Sequence, residues 1–360
     1  MTCNILFHHR DRERLSLIHR WLAVCCIPLT LCLCASVFTL TSCIDSEERP
    51  NTPSGNFEML WSIIDEHYCF FDYKQHEYGL DWQEVYNKYK VRISDKMNNA
   101  QLFEVCCDML AELRDGHVNL SNAMDYGRYW SWHEAFPKNF SDTLERRYMG
   151  TDYRISSGLQ FRVLDDNIGY LRCESFSVPI GEGNLDEALS YLALCRGLII
   201  DIRNNTGGDL TTAELLAGRF VHQKTLVGYM QHKTGSGHND FSSLEPQYLE
   251  PSSNIRWHKG VCVLTNRSVF SAANSFAVWM HELPNVRLVG DHTGGGSGMP
   301  FNNSLPNGWN VRFSACPMYD ARKQQTEFGI APDVEAALTD EAVAQSIDPI
   351  IEKAREILTN

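Results

Sequence analysis

The sequence predicts an α/β fold in its larger part, preceded by a small helical subdomain. The first observation is a βαβ-type order. Phe161-Arg-Val-Leu164 and Asn167-Ile-Gly-Tyr-Leu-Arg172 read as strands, Asn184 to Leu194 as a helix, and Gly197-Leu-Ile-Ile-Asp-Ile202 as a buried strand. A helix over Asp209 to Val221, a strand over Gly260 to Thr265 and a helix over Ala272 to Leu283 follow. The second observation is helical spacing before this region. Leu60, Ile63 and Ile64 share one face, as do Leu102, Val105, Met109 and Leu113, so about three helices are expected between Phe57 and Leu113. The α/β order should gather strand C-termini and helix N-termini on one edge, where sites form. The stretch 122–157 has no clear period and reads as a connecting segment.

The first 43 residues differ from the rest. Arg10, Arg12, Arg14 and Arg20 precede an apolar run over Trp21–Leu40, the order of a secretory signal. Its exit, Leu40-Thr-Ser-Cys43, resembles the lipobox of bacterial lipoproteins, which implies cleavage before Cys43 and lipidation of that cysteine. An uncleaved signal anchor is the competing reading, since the run is near spanning length. Asp45-Ser-Glu-Glu48 resembles the surface-export stretch of Bacteroidetes-type lipoproteins. Residues 44–56, rich in Pro, Gly and polar side chains, read as a tether. The expected location is therefore the cell envelope, on a lipid anchor, periplasmic or surface-exposed.

The chain carries 32 basic and 45 acidic side chains, a formal charge of −13. Removing the signal makes the body more acidic still, which disfavours nucleic acid as a partner. Seven cysteines follow Cys43 without regular spacing: Cys69, Cys106, Cys107, Cys173, Cys195, Cys262 and Cys316. An odd number argues against a disulfide framework. No CxxC or HExxH is present, so neither a metal site nor a cofactor is expected.

Thr265-Asn-Arg-Ser-Val-Phe-Ser-Ala-Ala-Asn-Ser-Phe276 puts Ser268, Ser271 and Ser275 where a strand passes into a helix. Ser271 sits at the helix N-terminus. That place suits a hydroxyl that must become alkoxide-like, and it equally suits a plain N-cap. A nucleophile needs a base and oxyanion donors. Gly207 and Gly208, in Asp201-Ile-Arg-Asn-Asn-Thr-Gly-Gly208, let a backbone come close to a bound atom, and the Ala272 N–H would be a second donor. Among the histidines, His117 stands out in Asp115-Gly-His117, just after a predicted helix. His281 and His292 are rivals by proximity in sequence, but His281 lies ten residues along the helix, about 15 Å from its start.

Taken together and in order, DGH, DIRNNTGG, TNRSVFSAANSF, GDHTGGGSG and EFGIAPD resemble the C-terminal-processing and tricorn-type serine peptidases, over roughly residues 57–340. The resemblance implies a crotonase-like ββα core. One branch of that family pairs its serine with a lysine about 25 residues on. Here the matching turn is Thr293-Gly-Gly-Gly-Ser-Gly298, and the first lysine after Ser271 is Lys323. The chain is closer to the tricorn-core branch, which implies Ser271 as nucleophile, His117 as general base, and Gly208 or Gly207 with Ala272 as oxyanion hole. It also implies Glu327 as a carboxylate supporting the histidine through a serine, and since Gly116 stands where that serine would be, through water or another hydroxyl instead. Ser268 and Ser275 match nothing in the pattern. Only about 40 residues separate His117 from the first core strand, so no PDZ module is expected and the catalytic part should run over 158–360.

The resulting expectation is an exported, lipid-anchored serine endopeptidase acting on peptides or proteins through an acyl-enzyme. Its activity should fall below about pH 6.5, where an ordinary histidine takes up a proton. A catalytically inactive ligand-binding lipoprotein of the same fold is the alternative.

Overall fold

Thr52 caps the first helix, its hydroxyl accepting a hydrogen bond from the Gly55 N–H at 3.1 Å. The structure is a computed structural model that describes residues 49–360. The signal segment, Cys43 and residues 44–48 of the tether lie outside the described residues. Helix α1 (Pro53–His67) begins inside the stretch read as tether, and its Gly55 and Asn56 are buried. Threonine followed by proline suits a linker, but it is also how helices start. Then come α2 (Phe71–Tyr78), α3 (Trp82–Lys90) and α4 (Asn99–Ala111), so four helices form where about three were expected. The apolar faces read from the sequence, from Leu60 to Leu113, are all buried.

The interval 122–157 is not a bare connection. After β1 (Asn119–Ser121) it contains β2 (Tyr126–Arg128), the single turn α5 (Ser131–Glu134), α6 (Asp142–Met149) and β3 (Arg154–Ser156). The α/β part continues with β4 (Leu159–Val163), β5 (Gly169–Cys173), α7 (Glu182–Leu192), β6 (Leu198–Asp201) and α8 (Leu210–Ala217). Next are β7 (Thr225–Met230), β8 (Glu245–Leu249), β9 (Val261–Thr265), α9 (Ala272–His281) and β10 (Val286–Gly290). The chain closes with β11 (Gly298–Ser304), β12 (Asn310–Tyr319), β13 (Val334–Glu335), α10 (Asp340–Ala344) and α11 (Pro349–Thr359).

One sheet runs β13-β10-β9-β6-β5-β4-β3, parallel from β13 to β5 and antiparallel beyond. Its central strands are buried on both faces, which is why they read as continuous apolar runs. Leu198, Ile200, Val261 and Val263 face α7, α8 and α9. Ile199, Cys262 and Leu264 face the other way, toward Ile350, Ile351 and Ala354 of α11. The second sheet, β2-β1-β12-β7-β8 with β11 on β12, is antiparallel. Val311 and Phe313 of β12 share a core with Leu60, Ile64, Leu102 and Met109. The four helices therefore complete their core with residues from far along the chain. All seven cysteines among the described residues are free thiols.

Candidate active site

Strands β6 and β9 are parallel neighbours, so both end on the same edge of the sheet. The loop after β6 carries Gly207 and Gly208, and the loop after β9 carries Ser271. Two asparagines stitch these loops together. Asn266 Oδ1 accepts from the Asn204 N–H at 3.0 Å, and Asn266 Nδ2 donates to Asn204 Oδ1 at 2.8 Å. Beneath them the buried Arg203 guanidinium bonds Asp201 at 2.6 Å and Asp348 at 2.8 Å, anchoring the turn to the start of α11. The Asp and Arg of DIRNN thus belong to the scaffold.

Ser271 has φ 57° and ψ −125°, a region that disfavours any residue with a Cβ. Its side chain makes no capping bond. Instead Ser271 Oγ lies 2.9 Å from His117 Nε2, joining residues 154 positions apart. The Ser271 N–H donates to Gly295 O at 2.8 Å, and the Gly296 N–H to Glu327 O at 2.8 Å. The GGG turn and the EFG turn therefore brace the strained serine from behind. A Cβ at Gly295 would stand 1.9 Å from Glu327 O, so only glycine fits there.

The amides divide. The Gly207 N–H is spent on Asn205 Oδ1 at 2.9 Å, so Gly207 is not available as an oxyanion donor. The N–H groups of Gly208 and Ala272 have no protein acceptor among the described residues. Gly207 still matters, because a Cβ there would stand 2.8 Å from Ser271 Cβ and 3.0 Å from the Ala272 nitrogen.

His117 is buried and packs on Phe270 at 4.7 Å between ring centroids. Asp115 Oδ1 accepts the His117 backbone N–H at 2.7 Å. Burial drives the imidazole down to about pKa 4; Asp115 opposes this, while Arg312 and Lys74 add to it. His281 bonds Asp333 at 3.2 Å and His292 bonds Thr293 O at 2.9 Å, and neither contacts Ser271.

Glu327 is buried as well. Its Oε1 accepts from Lys74 Nζ at 3.2 Å and its Oε2 from the Ser297 N–H at 3.0 Å; neither oxygen bonds His117. His117 Nδ1 is buried without a protein partner. The absence of a serine at 116 has a steric reason. A Cβ on Gly116 would stand 2.5 Å from Trp132 Nε1 and 2.8 Å from Phe270 Cζ, so the indole of Trp132, stacked on Phe270 at 4.1 Å, takes that space. Sequence reasoning missed Trp132, Lys74 and Asp115. Lys74 sits among Asp72, Gln75, His76 and Glu77, a setting that reads as a solvated helix face, yet its ammonium is fully buried. Asp115 was in view within the DGH motif, but nothing local showed that its carboxylate is buried.

Residues 167–336 match the family model described as peptidase family S41, and residues 50–111 match the tricorn protease C1 domain. A candidate peptidase from Parabacteroides merdae, known from its crystal structure, is 47% identical, with a TM-score of 0.82 over 86% of this chain and 98% of that one. The chain belongs to peptidase family S41. Among other S41 relatives, the carboxy-terminal processing protease CtpA of Bacillus subtilis is 27% identical over 187 residues, 51% of this chain. The chain spans only 38% of that protein's own length. Mature CPAF is 12% identical with a TM-score of 0.64, covering 85% of this chain and 96% of its own, and shares the fold.

Proposed function

We propose that the protein is an exported, lipid-anchored serine endopeptidase that cleaves peptide bonds through an acyl-enzyme. The observation that carries this reading is the 2.9 Å approach of Ser271 Oγ to His117 Nε2 beside two uncommitted amides. Ser271 Oγ attacks the scissile carbonyl carbon while His117 Nε2 takes its proton. The developing oxyanion accepts from the Gly208 and Ala272 N–H groups, which the fold already holds in place. Collapse of the tetrahedral adduct breaks the C–N bond, and the imidazolium returns its proton to the leaving amine. Water, deprotonated by His117, then hydrolyses the ester. Because Nε2 must accept the hydroxyl proton, the resting tautomer carries its hydrogen on Nδ1. Glu327 takes part in no proton transfer of this scheme; its part is to hold Lys74 and the Ser297 amide behind the base.

Digestion of a peptide library by purified residues 44–360 tests the reading, and its pH dependence tests the base. The neutral imidazole is the active form, and burial lowers its pKa to about 4. The acid limb of kcat/KM should therefore fall near pH 4 and not near 6.5, since that limb reports the free enzyme. A midpoint at 6.5 would mean that the base is an exposed histidine. No cleavage at any pH would favour the ligand-binding alternative.

The lipid anchor is tested separately. Cys43→Ala is expected to move the protein from the membrane to the soluble fraction. Unchanged partition, with the signal still attached, would point to an uncleaved anchor.

A further inference from the structure

The cleft in front of Ser271 has a volume of about 370 Å³. Tyr126, Trp130 and Trp132 form its aromatic side, and Tyr126 and Trp130 remain 57% and 37% exposed. Large exposed aromatics beside a reactive serine mark a contact surface. Among the described residues lining the cleft there is no aspartate or glutamate, although the chain as a whole is acidic at −13. Its one arginine is Arg312.

Register explains how Arg312 reaches this place. Arg312 of β12 lies directly opposite Asn119 of β1, and Asn119 lies opposite Arg128 of β2. Opposed residues of antiparallel strands project on the same face, so Arg312, Asn119 and Arg128 form one row. Asn119 Nδ2 donates to His117 O at 2.9 Å, so this row begins at the general base. The two cations differ in their commitments. Arg128 stacks on Trp130 and lies 3.9 Å from Glu134. The side chain of Arg312 makes no ion pair or hydrogen bond with any described residue.

We propose that Arg312 is a specificity residue that selects peptides bearing a carboxylate close to the scissile bond. The aromatic side of the cleft takes the apolar part of the same segment. This rests on the serine-peptidase reading above and names its substrate class. A carboxylate on a peptide bound across the cleft would meet Arg312 at an exposed site that the peptide itself covers, where an ion pair gains more than on an open surface. Two sources could supply the group: an aspartate or glutamate side chain, or the free C-terminus of the peptide.

The test is a matched peptide set with Glu, Gln or Lys at each position near the cut, every member made with a free and an amidated C-terminus. Wild type should cleave the best Glu peptide over its Gln partner by about tenfold in kcat/KM, the usual worth of a charge-assisted hydrogen bond, with Lys poorest. In Arg312→Met that ratio should fall towards one, in Arg312→Glu it should invert towards Lys, and in Arg128→Met it should persist. A ratio that follows amidation and not Glu assigns the carboxylate to the chain end; its loss in Arg312→Met supports the proposal equally. Arg312 is exposed, so thermal melting of these variants should match wild type. Equal cleavage of every member by a wild type that a fluorophosphonate labels at Ser271 overturns the selection by Arg312 and leaves the peptidase reading standing. Absence of labelling together with absence of cleavage removes the peptidase reading itself.

Discussion

Ser271→Ala is expected to lower kcat/KM by roughly 10⁵–10⁶-fold, the scale on which an activated serine nucleophile acts. The residual rate would come from the Gly208 and Ala272 amides, which the substitution leaves in place. His117→Ala should cost about as much, and the double variant little more than either, because the two groups act as one unit. Stability separates this from a helix cap. Loss of a capping serine would cost about 0.5–2 kcal/mol, but Ser271 makes no capping bond. Nor does alanine relieve the backbone at φ 57°, since it keeps the Cβ that makes this region costly. Ser271→Ala should therefore melt close to wild type. Ser271→Gly should be equally inactive yet more stable, by up to about 1–3 kcal/mol. A fluorophosphonate should label wild type, Ser268→Ala and Ser275→Ala but not Ser271→Ala. Labelling of Ser271→Ala, or full turnover by it, would discard the assignment.

The legible parts of this protein are those whose signal is local or whose motif is ordered. Strands β6 and β9 show as unbroken apolar runs because both their faces are covered. Ser271, His117 and the glycine pair each stand at a break in a periodic pattern, but their roles came from the resemblance of the ordered motifs, since a capping serine and a structural histidine look the same locally. Strand β12 was harder, since polar residues interrupt it and Pro317 sits within it; the alternation of Val311, Phe313 and Ala315 was its only signal. The split between Gly207 and Gly208 was beyond reach, because it depends on where the Asn205 side chain points. Gly116 shows the same limit. Its lack of a side chain is explained only by Trp132, which arrives from 16 residues away on a single helical turn. Long-range pairing leaves no periodic trace in a sequence, and apart from the local Asp115–His117 contact the cluster behind His117 is made of it.

That cluster yields the second large effect. Lys74 Nζ donates to Leu113 O at 2.6 Å, Arg114 O at 3.2 Å and Glu327 Oε1 at 3.2 Å, and it lies 4.0 Å from Asp115. One ammonium thus faces two buried carboxyls. Asp115 accepts from Tyr68 Oη at 2.9 Å, from Ser314 Oγ at 2.8 Å and from the His117 N–H at 2.7 Å. Burial alone would raise its pKa, but Lys74, His117 and these donors outweigh it and hold Asp115 below the usual carboxylate value. Glu327 has fewer donors. Burial, and then the Asp115 charge, push it up to about 8, so it carries a proton at neutral pH and the cluster is close to neutral. Lys74→Met would strand the Asp115 charge and leave the Arg114 carbonyl without its donor, while Leu113 O keeps Tyr78 Oη, at a cost of about 3–5 kcal/mol in denaturant unfolding. Activity should fall with it, because Asp115 holds the backbone of the base. Glu327→Gln should be milder at neutral pH than loss of the Asp115 charge, since it keeps the site neutral, although its one carbonyl oxygen can accept from Lys74 or from the Ser297 N–H but not from both. Asp115→Asn should be severe, since it removes the charge these donors converge on. The sign with pH follows from the raised folded value. A carboxyl at about 8 when folded and near 4.5 when unfolded contributes most stability below 4.5 and loses it as pH rises through 8. The stability of Glu327→Gln relative to wild type should therefore grow from pH 5 to pH 9. A gap that stays flat, or a Glu327→Gln as damaged as Asp115→Asn, would place the buried negative charge on Glu327 and reverse the assignment of the two carboxyls.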